Sequence, residues 1–164
     1  MHEIQALVLP SADPDAARAW DLVPAPAAGS GLSLVYITHY VTAYWQARRS
    51  LSGHLVTPPS FPATFPRDRV LHEIAADLTG VPDPLYALVM TEYWGGVGEQ
   101  WAAAYRVPGL EPVVAGSINE ALRVLGVTTA AGEYDEFDTV GLGGVRSTPE
   151  HLSRFADLCE ELGV

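Results

Sequence analysis

The segment of residues 92–101 concentrates side chains that can bind another molecule. Two tryptophans, one tyrosine, two glutamates and one glutamine surround three glycines. Glycine lets a backbone approach a ligand closely, and exposed aromatic rings carry much of the affinity at protein interfaces. We therefore predict a partner-binding surface at this tip, formed by Tyr93, Trp94, Gly95, Gly96, Glu99 and Gln100. The alternative is that Trp94 and Trp101 cap the hydrophobic core and the glycines only shape a turn.

A second group of polar residues lies in an acidic, glycine-rich segment at residues 130–146. Its carboxylates are interspersed with aromatic side chains, and they are Glu133, Asp135, Glu136 and Asp138. They do not form the twelve-residue calcium loop, because Arg146 stands where that loop needs a glutamate. Clustered carboxylates do attract a cationic protein and speed its association. We expect an exposed acidic loop that adjoins the hairpin tip and binds a basic protein.

A glycine-rich turn precedes the last predicted helix. Backbone amides at the start of a helix can bind phosphate groups, so we consider a weak anion site at Gly143, Gly144, Arg146 and Ser147. The usual dinucleotide fingerprint is absent, and no strand clearly precedes the turn. The alternative is a flexible loop.

The other reactive residues fit no catalytic or metal-binding pattern. The pair His72-Glu73 begins like a zinc-protease helix, but Ala76 replaces the second histidine, so we predict no metal and a solvated helix face. His39 lies in an apolar stretch and is expected to be a core histidine. Cys159 continues an apolar stripe beside two glutamates, which predicts a buried structural thiol. We therefore assign no catalytic residue and no cofactor.

Short helices and strands must position these residues. We predict strands at 4–9 and from 32 to about 40, a hairpin at about 86–107 and a third strand at 111–115. Helices are predicted from Asp13-Pro14 to about 22, at 43–51, at 70–78, from the capping box Ser117 to Glu120 onward, and from Thr148-Pro149 onward. Residues 24–31 have loop composition. The sequence predicts one α+β domain over residues 1–164, with three or four amphipathic helices packed on a mixed or antiparallel sheet.

A proline-rich connector at residues 56–66 interrupts these elements. Four prolines remove backbone donors, so the segment can neither pair in a sheet nor continue a helix. It is either a mobile lid or a strap whose Phe61 and Phe65 pack on the core.

Composition narrows the class of partner. The 164 residues carry nine arginines, no lysine and twenty acidic residues, for a net charge of -11. This charge repels nucleic acid and anionic membranes, so we expect neither as a partner. One cysteine permits no internal disulfide, and the first residues lack a basic signal-peptide region. We expect a cytoplasmic protein.

Three functions remain open at this point. The first is a small acidic binding protein, for example an immunity or antitoxin-type protein that neutralises a basic partner. The second is an enzyme or small-ligand-binding domain with a pocket between the hairpin, the proline-rich connector and the glycine turn, which would use His39, Tyr93, Glu99, Arg146 and His151. The third is a structural homo-oligomer.

Overall fold

The centre of the molecule is a six-stranded antiparallel sheet, seen in a computed structural model that describes all residues from 1 to 164. Its strands are β1 (His2–Leu9), β2 (Pro24–Pro26), β3 (Ser33–Tyr36), β4 (Leu85–Trp94), β5 (Val97–Arg106) and β6 (Val114–Gly116). Across the sheet the order is β2-β3-β1-β4-β5-β6. The predicted hairpin, β4 and β5, therefore lies inside the sheet, and the predicted α+β class is confirmed.

Six α-helices pack on this sheet. They are α1 (Pro14–Arg18), α2 (His39–Arg48), α3 (Val70–Thr79), α4 (Ile118–Val124), α5 (Glu136–Thr139) and α6 (Arg154–Leu162). The predicted capping box of Ser117 and Glu120 opens α4, and Gly80 ends α3 with a φ of 67°. None of the helices has the length and apolar character needed to cross a membrane.

The helices cover both faces of the sheet. Helix α3 contacts one face through His72, which packs against Tyr86 and Tyr105. Helix α5 lies on the other face, where the Phe137 ring packs 6.1 Å from the ring of His2. A single hydrophobic cluster of 39 buried residues joins the layers. The sheet is therefore the middle layer of one domain.

The start of α2 corrects the prediction of a strand continuing to residue 40. The strand β3 ends at Tyr36, and the side chain of Thr38 accepts a hydrogen bond from the Val41 amide at 3.2 Å. This cap begins a helix, so Tyr40 lies on a helix and not on a strand face. His39 is exposed at the first helical position, and its prediction as a core histidine was wrong.

His72 also lies where the sequence did not place it. Its side chain is only 5% exposed, because α3 presents this side as well as its apolar stripe to the sheet. Nε2–H donates to the Gly109 carbonyl at 2.8 Å, and Nδ1 accepts from the Tyr86 hydroxyl at 2.7 Å. Burial lowers the pKa of His72. The prediction of a solvated helix face is therefore wrong at His72, whereas Asp77 farther along α3 is exposed.

The proline-rich connector packs down as a strap. Phe65 is buried, and its ring centre lies 4.9 Å from that of Phe61. The Val56 amide donates to the Leu110 carbonyl at 3.0 Å, and the Val56 carbonyl accepts from the Tyr105 hydroxyl at 2.9 Å. These bonds hold one end of the connector against β5 and the loop after it.

Two smaller features complete the fold. Residues 24–26 pair at the sheet edge, where prolines are tolerated, although the sequence predicted only a loop there. Cys159 is buried as predicted, and its thiol lies 3.3 Å from the Tyr40 carbonyl. Burial raises the pKa of the Cys159 thiol, so the thiolate is disfavoured at neutral pH.

Candidate functional site

The turn of the β4–β5 hairpin is shorter than the predicted tip. Strand pairing continues to Trp94 and Val97, which leaves only Gly95 and Gly96 in the turn. Their φ angles of 60° and 85° belong to the left-handed region that such two-residue hairpin turns require. At Gly98 a side chain would collide with the Glu92 carbonyl, so glycine is needed there for close backbone approach.

Strand geometry divides the predicted hairpin residues between two faces. Side chains alternate along a strand, and directly paired residues share a face. Trp94 pairs with Val97 and Glu92 pairs with Glu99, so these four residues lie on one face. Tyr93 and Gln100 lie on the opposite face. We call the first set, Glu92, Trp94, Val97 and Glu99, the hairpin face.

The apolar residues of the hairpin face are open to solvent. Trp94 is 73% exposed and Val97 is 79% exposed. Trp101 is half-buried and packs against the core. The prediction that the tryptophans cap the core therefore holds for Trp101 and fails for Trp94.

Three glutamates lie side by side on this same face of the sheet. Glu3 of β1 is directly opposite Glu92 of β4, and Glu92 is directly opposite Glu99 of β5. Such opposed residues have Cβ atoms about 4.5–5.5 Å apart, and like charges at that separation repel. All three are exposed, and none takes part in any of the ion pairs of the molecule. We call them the glutamate row.

A cleft of about 470 Å³ begins at the glutamate row, and we call it the glutamate cleft. Glu3 and Glu92 line one side of it, and Glu150, in the turn before α6, lines another. Tyr40 of α2 and Thr64 of the strap are also in its wall. No arginine is among its 14 lining residues. The carboxylates of the cleft therefore have no arginine beside them in its wall, and its one histidine is His39 at the start of α2.

The opposite face of the hairpin borders a second concavity, of about 430 Å³, which we call the tip groove. Its wall combines residues of the hairpin, the acidic segment and the glycine turn, namely Tyr93, Gly95, Gln100, Asp135, Gly143 and Arg146. The hairpin and the acidic segment are therefore adjacent, as expected. They meet on the face away from Trp94, because side chains alternate along β4.

Two of the four predicted acidic residues have structural roles. Asp135 is the N-cap of α5, where it accepts from the Asp138 amide and from the Asn119 side chain, both at 2.9 Å. Glu136 is buried and accepts from Arg123 Nε at 2.8 Å, and this contact lowers the pKa of Glu136. The segment is thus not a uniformly exposed acidic loop. Its exposed carboxylates without an ion-pair partner are Glu133 and Asp138.

The glycine turn is not followed directly by the last α-helix, as the considered anion site assumed. The amides of Gly144 and Val145 already donate to the Gly141 and Leu142 carbonyls. Ser147 forms a parallel bridge with Glu3, and α6 begins only at Arg154. Of the four candidate residues, Gly144 therefore has its amide engaged, and the α-helix N-terminus expected at the turn lies farther along the chain. Arg146 is exposed and lines the tip groove without an ion-pair partner.

The residues of the predicted enzyme pocket do not converge. His39 lines the glutamate cleft, whereas Tyr93 and Arg146 line the tip groove. Glu99 is on the hairpin face, and the exposed His151 lines neither concavity. No three His, Cys, Asp or Glu side chains are arranged to hold a metal ion.

No protein-family model, curated protein or solved structure matches this chain. Two members of the glutamate row were not predicted as site residues, although one of them, Glu92, belongs to the segment 92–101 described from the sequence. Glu92 could have been found from a two-residue Gly95-Gly96 turn, which places it opposite Glu99. Glu3 had no such local signal, because β1 and β4 are far apart in the chain.

Proposed function

We propose that this protein binds a basic protein partner through the hairpin face and the glutamate row. The observation that carries the proposal is the run of three directly opposed, unpaired glutamates beside a tryptophan that is 73% exposed. A cationic surface would relieve the repulsion within the row, and Trp94 would supply apolar contact area. The relief of repulsion and the apolar contact both require a bound partner.

The whole-molecule charge supports the same class of partner. A net charge of -11 steers positively charged proteins towards the surface and repels nucleic acid. An immunity or antitoxin-type protein that neutralises a basic toxin or nuclease would use this combination of rapid capture and an aromatic anchor. In this proposal the protein acts in the cytoplasm.

Site-specific photo-crosslinking in the cells that produce the protein tests where a partner binds. A photoreactive residue replaces Val97 on the hairpin face or, as the control, Val81, an exposed valine in the loop that precedes β4. We expect a crosslinked protein with a net positive charge from position 97 and none from position 81. Crosslinking of position 97 only to a second copy of this chain would support the homo-oligomer instead.

Affinity measurements with the captured partner then test the anchor. Trp94→Ala should weaken binding by about 30-fold or more, equivalent to about 2 kcal/mol. The matched control is Tyr134→Ala, since Tyr134 is 93% exposed on the acidic segment. An equal loss from both replacements would place the interface elsewhere, and a Trp94→Ala variant that binds normally would contradict the proposal.

A further inference from the structure

The outer side of β5 is open near the hairpin turn. Strand β5 runs from Val97 to Arg106, but β6 pairs only with its residues 102–104. Residues 97–101 therefore have no neighbouring strand on that side. Residues 97–100 are exposed, and Trp101 is half-buried. An edge of this kind can pair with an extended segment of another protein.

The two-residue turn determines which backbone groups face this edge. In such a hairpin the residues that flank the turn, here Trp94 and Val97, form a hydrogen-bonded pair, and bonding then alternates along the strands. Gly98 and Gln100 therefore direct their amides and carbonyls away from β4. Neither residue forms a backbone hydrogen bond to a loop, turn or cap. These groups can therefore pair with an added strand.

Other edges of the sheet are protected. The end strands β2 and β6 are each three residues long, and β2 contains Pro24 and Pro26, which lack the amide that a new strand needs. The start of β1 extends past β3, and there Glu3 donates to the Arg146 carbonyl at 3.0 Å and accepts from the Thr148 amide at 3.1 Å. Residues 97–101 have neither a proline nor a hydrogen-bonded covering segment.

The side chains beside the open edge favour a basic segment. Glu99 is in the middle, and Val97 and Trp101 share its face because side chains alternate along a strand. Glu99 has no ion-pair partner, and Glu92 lies directly opposite it on β4. An added strand would place one residue beside Glu99, where a positive charge is favourable, and others beside Val97 and Trp101, where apolar side chains are favourable.

A second copy of this chain lacks that complementarity. Antiparallel pairing of residues 97–101 with the same residues of another molecule would set the two Glu99 side chains directly opposite each other, and like charges so placed destabilise a sheet. The net charge of -11 adds repulsion between copies. The charges therefore favour a different, basic protein.

We infer that an extended segment of the basic partner adds a strand to the sheet, antiparallel to β5 along residues 97–101. Its backbone pairs with Gly98 and Gln100, and its basic side chain contacts Glu99. Apolar residues two positions before and after the basic one pack against Val97 and Trp101. The inference rests on the proposed function, because it states how the partner is recognised.

Amide hydrogen exchange with the peptide acetyl-Thr-Val-Thr-Arg-Thr-Val-Thr-amide tests the pairing. Exchange at Gly98 and Gln100 should slow about tenfold when nine-tenths of the protein is bound, because the outward amides exchange only in the unbound protein. Methylating the backbone nitrogen of a threonine next to the arginine removes a donor to β5 and should weaken binding about tenfold or more. Methylating the arginine nitrogen, which faces away from β5, is the matched control and should weaken it less than about threefold.

Variants test the same edge from the protein side. Gln100→Pro removes an outward amide but no bond to β4, and it should weaken the peptide about tenfold. Gln100→Ala keeps the amide and should bind at least about fivefold more tightly than Gln100→Pro. If Gln100→Pro does not fold, the two methylated peptides decide the question on the wild type.

Three results would overturn the inference: unchanged exchange at Gly98 and Gln100, equal binding of the two methylated peptides, or slow exchange in the free protein that is lost on dilution, which would place a second copy at the edge. The proposed function fails separately. If the peptide pairs with β5 but no basic protein crosslinks at position 97, the function is wrong and the edge site stands. If a basic partner is captured and Trp94→Ala weakens it while Gln100→Pro does not, the function stands and the strand pairing is wrong.

Discussion

At the scale of single residues, hydrogen-bond partners decide the protonation of the buried histidine. The carbonyl of Gly109 can only accept, so Nε2 of His72 carries the proton and Nδ1 accepts from Tyr86. Burial raises the pKa of Tyr86, which keeps its hydroxyl protonated as the donor. Adding a proton to His72 would give Nδ1 a hydrogen that competes with the Tyr86 donor. The neutral imidazole is therefore the form that fits the fold.

This arrangement predicts a loss of stability in mild acid. The pKa of His72 is lowered in the folded protein, whereas the unfolded chain titrates near the ordinary value of 6.5. As the pH falls below that value, the unfolded state binds the proton more readily, so the free energy of unfolding decreases until the folded pKa is reached. Urea unfolding near pH 7.5 and pH 5.5 should show this decrease.

His72→Gln isolates the contribution of this side chain. The variant should lose less stability between the two pH values than the wild type, although it starts from a lower stability because it disturbs the Tyr86 contact. His151→Gln, at an exposed position, should behave like the wild type. A His72→Gln variant with an unchanged pH dependence would show that His72 is not the group responsible.

At the scale of elements, the hairpin combines a rigid turn with an unfavourable charge arrangement. Gly95 and Gly96 fix the register that sets Glu92 against Glu99, and the pairing of β1 with β4 adds Glu3 on the other side. Glu92 is the middle member and meets two like charges. Local stability is therefore reduced at the surface proposed to bind the partner.

Replacing the middle glutamate by a neutral residue should raise the stability of the protein and weaken its binding to the partner. Glu92→Gln is expected to raise the free energy of unfolding by about 0.2–1 kcal/mol, the scale of a cross-strand pair, while it weakens binding of the partner. Salt should stabilise the wild type more than this variant, because it screens the repulsion. Glu133→Gln is the matched control for chemical denaturation. A Glu92→Gln variant of lower stability would contradict the assigned repulsion.

At the scale of the whole molecule, the strap contributes a buried side chain to the hydrophobic core. Phe65 is 2% exposed and packs with Phe61, and Thr64 between them reaches the glutamate cleft. A lid would leave the core intact when it opens. A strap is part of the core, so removing its buried side chain should lower the free energy of global unfolding.

Phe65→Ala tests this distinction by chemical denaturation. We expect a loss of about 3–5 kcal/mol in the free energy of unfolding, typical of a buried phenylalanine replaced by alanine. Phe61→Ala should cost less, because Phe61 is only partly buried. Unchanged stability in Phe65→Ala would identify the segment as a lid.

The sequence by itself determined the features that depend on neighbouring residues. The capping box at Ser117, the helix end at Gly80 and the Gly95-Gly96 hairpin each arise within a few residues, so backbone chemistry predicts them. The α+β class followed from these local elements, whereas the choice between a mixed and an antiparallel sheet was made by the strand pairing. The sequence left open whether Trp94 is exposed or caps the core, and the structure places it in solvent at the end of the hairpin.

Only the tertiary structure decided which polar residues meet. Glu3 lies beside Glu92 through a strand pairing across about ninety residues, and the inward turn of His72 depends on how α3 packs on the sheet. Glu136 faces Arg123 of another helix and is removed from the acidic surface. Burial of the apolar side chains fixes strand register and helix rotation, and polar neighbours are set by that packing, not by local sequence.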